Sequence, residues 1–109
     1  KKKYNYDVGV VHFHTIKPLD EKSLFKILKD VKFLVSVEEN NLIGGFGSSI
    51  LESCNNHKIK EVNKIYRIGL PDKFPENYGS QIELLKSKNI NSEHLAKKMF
   101  LILKKNKKN

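Results

Sequence analysis

At 109 residues the chain has room for one domain with a real core, and not for two. A single cysteine, Cys54, excludes an internal disulfide framework, and no apolar run approaches the ~18 residues of a membrane-spanning helix. The formal charge of +9 invites a nucleic-acid reading, but its placement argues against one.

Lys1, Lys2 and Lys3 open the chain, and Lys104, Lys105, Lys107 and Lys108 close it. Taking those seven charges from +9 leaves residues 4–103 at only +2. Twenty of the 21 basic residues are lysines and Arg67 is the sole arginine, whereas base edges and phosphate forks are best matched by arginine. The expectation is a nearly neutral domain between solvated basic ends, with no nucleic-acid or membrane partner. No signal-like apolar segment opens the chain.

In chain order, residues 1–7 form a polar lead-in. Val8–Phe13 is apolar on both alternating faces, the pattern of an interior parallel strand. Asp20 is suited to cap a following helix, with Leu19 and Leu24 at staple spacing. Leu24, Ile27, Leu28 and Val31 then fall on one helical face. Phe33–Val37 reads as a second strand, and Gly44–Gly47 as a turn. Ser48–Cys54 reads as a helix ending near Asn55 and Asn56. Val62–Ile68 alternates as a third strand, broken by Gly69-Leu70-Pro71-Asp72. Ser80 to Glu83 has capping-box spacing for a short helix, for which Asn89 is a suitable left-handed end. Asn91 caps the last helix, with Ile90 and Leu95 at staple spacing and with Leu95, Met99, Ile102 and Leu103 on its apolar face. The lysine tail beyond Leu103 is expected to fray.

This order predicts a single α/β domain. It comprises a lead-in at 1–7, a core at 8–103 and a basic tail at 104–109, with three layers and a mostly parallel sheet of at least three strands flanked by helices. Three strands are few for such a sheet, which points to a part of something larger.

Each candidate site has a plain structural alternative. Gly44, Gly45 and Gly47 lie between a strand and a helix, where backbone amides can hold an anion. Yet the G-x-G-x-x-G and G-x-x-x-x-G-K-[ST] patterns are absent, and Glu38 and Glu39 would repel a phosphate. A tight turn with close helix–sheet packing is the favoured reading. Adjacent carboxylates on a strand point to opposite faces, so Glu38 and Glu39 make no acid/base pair; solvation or a helix cap is their commoner fate. His12 and His14 share a face, but without a third ligand they make no metal site, and His57 and His94 fall in surface regions. Cys54 lacks a local base and reads as a buried structural thiol. Ser48 and Ser49 lack the nucleophile elbow. No catalytic set is complete.

Three ordered segments nevertheless resemble one family: Ile16-Lys17-Pro18-Leu19-Asp20; Val37-Glu38-Glu39-Asn40 with Gly44-Gly45-Phe46-Gly47-Ser48; and Ile68-Gly69-Leu70-Pro71-Asp72-Lys73-Phe74. They look like the C-terminal domain of the 1-deoxy-D-xylulose-5-phosphate synthases, which are transketolase-type thiamine diphosphate enzymes. The resemblance runs from about Val8 to Leu103. The 2-oxo acid dehydrogenase β subunits share the Glu-Glu and glycine-turn region.

The resemblance implies a transferase that condenses pyruvate with glyceraldehyde 3-phosphate on the non-mevalonate route to isoprenoids. It places thiamine diphosphate and magnesium in preceding domains, with none bound here and no catalytic residue in this chain. It implies a homodimer whose C-terminal domain serves folding and assembly, in a bacterial cytoplasm or a plastid. The family-motif or interface candidates are Glu38, Glu39, Asn40, Gly44, Gly45, Phe46, Gly47, Pro71 and Asp72. Members of the family carry a further strand and helix before the segment matched by Val8–Phe13, so the resemblance implies truncation on the N-terminal side. The alternatives are a regulatory anion- or nucleotide-binding module, the equivalent dehydrogenase domain, and a nucleic-acid surface on the lysine tails.

Overall fold

A computed structural model describes residues 6–70 and 91–107. The elements run α1 (Glu21–Asp30), β1 (Leu34–Asn41), α2 (Phe46–Asn56), a 3₁₀ turn (Lys60–Lys64), β2 (Ile65–Leu70) and α3 (Ser92–Lys107). The short helix expected at Ser80–Glu83, and Asn89 and Ile90, lie outside the described residues.

Helix α1 starts where its cap predicts. The Asp20 carboxylate accepts the Ser23 amide at 3.1 Å and the Ser23 hydroxyl at 2.7 Å. Its apolar stripe buries Leu24 and Leu28, which are 1% and 0% exposed. These meet Ile50 and Cys54 of α2 in the core, with Phe13, Leu19, Phe25, Leu34, Phe46, Ile59 and Ile65 packed around them. The far end of α1 is held by Lys64, whose ammonium donates to the Leu28 and Val31 carbonyls, both at 3.2 Å. A cation there also complements the helix dipole.

The strands pair in parallel, with Leu34 opposite Ile65, Ser36 opposite Arg67 and Val37 opposite Ile68. The register then shifts before Asn41 meets Leu70. Alternation puts Ser36, Glu38, Arg67 and Gly69 on the face beneath α2. The other face carries Val35, Val37, Tyr66 and Ile68; there Asn106 of α3 donates to the Tyr66 hydroxyl at 2.9 Å. Helices on both faces of a parallel sheet give the expected three-layer α/β arrangement.

Four sequence expectations are corrected. Val8–Phe13 is not a strand: its backbone joins no sheet among the described residues, and Val8, Val10 and Val11 are 59%, 90% and 57% exposed. Only its end is anchored, where the Phe13 ring lies 5.5 Å from that of Phe46. An apolar pattern specifies burial, but a strand also needs a neighbour offering free backbone groups. The described sheet consequently has two strands rather than three.

The second strand runs past Val37 to Asn41, carrying both glutamates within it. Val62 lies in the 3₁₀ turn, and the last strand begins at Ile65 and continues through Leu70. Lys64, called to the end of α1, leaves the alternating pattern at that point. Finally, α3 continues to Lys107 instead of fraying after Leu103. Asn106 ties it to Tyr66, and the Lys107 ammonium sits 5.2 Å from the Tyr6 ring centre. Lysines also suit a helix C-terminus.

Candidate functional site

The C-terminal ends of β1 and β2 and the start of α2 meet around Glu38. This side chain is only 9% exposed, and its carboxylate turns into the first turn of α2. Oε2 accepts the Phe46 amide at 2.5 Å and Oε1 accepts the Gly47 amide at 3.3 Å. Two of the helix's free amides are thus satisfied by a charge eight and nine residues upstream. Gly45, at the cap position, has no side chain to do this locally.

The glycines are explained by what surrounds that carboxylate. A Cβ on Gly45 would stand 2.6 Å from the Asn41 carbonyl and closer still to the Glu38 carboxylate. One on Gly47 would meet Ser36 Oγ at 2.8 Å and the Arg67 side chain at 2.7 Å. Gly69 of β2 faces Glu38 from below, with Asn40 O and Glu38 Cγ each 3.0 Å from its missing Cβ. Gly44 differs: its surroundings are open, and it is fixed by a φ of +73°.

Polar bonds pin the loop between β1 and α2. Ser48 Oγ donates to the Leu42 carbonyl at 2.8 Å and accepts the Gly44 amide at 3.2 Å. Arg67 Nη1 donates to the same carbonyl and the same hydroxyl, each at 3.1 Å. Ile43 at the loop tip is 73% exposed. Ser36, only 3% exposed, points its hydroxyl into this region without a hydrogen-bond partner.

Of the candidates from sequence, Glu38, Gly44, Gly45, Phe46 and Gly47 come together here, with Asn40 at the edge. Glu39 points away and is exposed, as strand alternation requires. Pro71 and Asp72 lie outside the described residues. Ser36, Ser48, Arg67 and Gly69 belong to the cluster without having been marked as site residues. The signal available for one of them, Ser36, was its two-residue spacing from Glu38 on one strand face.

The other candidates stand apart. His12 and His14 stack with ring centres 4.5 Å apart and line an open cleft with Asp20 and Ser23. Among the described residues no group of three His, Cys, Asp or Glu side chains could hold a metal ion. Cys54 is fully buried, and burial pushes its thiol up, with Glu21 and Glu61 adding to the effect. His57 rests on the end of α2, its Nδ1 3.0 Å from the Ser53 carbonyl and its Nε2 3.5 Å from Glu21, which also accepts the Ser53 hydroxyl. His94 sits in the first turn of α3, where its amide is capped by Asn91 at 3.0 Å.

Comparison with known proteins fixes the family. The transketolase C-terminal domain family matches residues 1–95. The chain belongs to that family. Its relatives include proteins named 1-deoxy-D-xylulose-5-phosphate synthase. That of Listeria monocytogenes serotype 4b is 42% identical over 94 residues, 86% of this chain and 15% of the relative. That of Listeria welshimeri is 39% identical over 103 residues, 94% of this chain and 16% of the relative. The protein of Geobacillus sp. strain WCH70 is 37% identical over 106 residues, 97% of this chain and 16% of the relative. The chain therefore spans about a sixth of the length of these curated relatives.

In this transketolase C-terminal domain, the cluster can do less chemistry than its glycines suggest. The N-terminus of α2 is an anion site already filled by Glu38. Asp20 fills that of α1 and Asn91 that of α3, so each described helix start is capped from within the chain. No nucleophile in the cluster faces a base, since Ser48 is committed to Leu42, Gly44 and Arg67.

Proposed function

We propose that this is the non-catalytic C-terminal domain of a 1-deoxy-D-xylulose-5-phosphate synthase, serving folding and homodimer assembly. The observation that carries the reading is Glu38. The strand-end position where an α/β sheet ordinarily receives a ligand holds the chain's own carboxylate, while the loop it braces presents Ile43 outward. That arrangement suits a surface that meets another part of the protein.

The full-length enzyme would condense pyruvate with glyceraldehyde 3-phosphate, releasing carbon dioxide. Thiamine diphosphate does not fit the residues described here, because the helix amides that would take its phosphates are occupied by Glu38. The cofactor and its magnesium ion would therefore belong to preceding domains. The longer protein would supply a further strand to the sheet. By resemblance to that family, the setting would be the cytoplasm in a bacterium or a plastid in a eukaryote. No described helix is long and apolar enough to cross a membrane.

The test is an assay of this chain and of the full-length protein for pyruvate-dependent product. The full-length protein should be active, and the chain alone inactive and unable to bind thiamine diphosphate. Turnover or tight cofactor binding by the chain alone would overturn the reading.

A further inference from the structure

We draw no further inference here: the strongest candidate, the open cleft lined by the stacked His12 and His14 rings with Asp20 and Ser23, carries nothing, because both Asp20 carboxylate oxygens already accept from Ser23 and no third side chain among the described residues completes a ligand set with the two imidazoles.

Discussion

Glu38 shows how one side chain sets the conformation of its neighbours. Its carboxylate replaces water at two α2 amides, and hydrogen bonds to a charged group contribute roughly 1.5–3 kcal/mol each when buried. Glu38→Gln keeps the shape but loses the charge and offers a single acceptor. We expect a loss of about 1–2 kcal/mol in urea denaturation, with Glu38→Ala costing more. The glycines around it should separate by cause. Gly44→Ala meets open space and suffers only the strain of positive φ, about 1 kcal/mol. Gly45→Ala drives a methyl into the carboxylate and should cost distinctly more; equal losses would show that the packing argument is wrong. Ser36→Ala removes a buried hydroxyl that has no partner, so stability should hold or rise. Cys54 should resist thiol reagents at pH 8 until the chain unfolds, since burial and the nearby Glu21 and Glu61 disfavour its thiolate.

At the scale of elements, helices were more legible in the sequence than strands, for a physical reason. A helix satisfies its own backbone, so cap and stripe suffice: Asp20 with Leu24 and Leu28 located α1, and Asn91 located the start of α3. A strand depends on a partner that its own residues do not name. Val8–Phe13 is apolar on both faces and pairs with nothing described, while polar Glu38 to Asn41 continues β1. The glycine turn reads in the sequence as a packing device, but its reason, a carboxylate from eight residues upstream, was invisible without the register.

Asp20 provides an element-scale prediction. Its bonds from the Ser23 hydroxyl and amide hold its carboxyl below the ordinary value of 3.8. A depressed folded value means that its contribution is complete above about 3.8 and is lost as pH falls through the folded value. In thermal melts from pH 6 to pH 2, wild type should exceed Asp20→Ala at the upper end, and the two should converge at the lower. A difference that persisted undiminished at pH 2 would exclude the charged cap as its source.

At the scale of the whole molecule, the two strands carry helices on both faces, yet several apolar side chains face solvent. Val8, Val10 and Val11 form one exposed run, Val37 is 40% exposed on β1, and Ile43 tops the loop. Scattered exposed aliphatics are ordinary, but three exposed valines within four residues are not. If the longer protein supplies a strand to this sheet, the amides of 8–13 acquire partners only there. Hydrogen exchange reads this directly, because an amide's protection reports the free energy of opening its bond. In the isolated chain the amides of Val8, Val10 and Val11 should exchange at nearly the rate of an open peptide, while those of Leu24, Leu28 and Ile50 are protected. In the full-length protein the three valine amides should slow by at least about a hundredfold, equivalent to roughly 2.7 kcal/mol of protection. Exchange that stayed fast in the longer protein would mean that the apolar run is covered by side-chain contacts alone, and that this domain keeps its sheet open on that side.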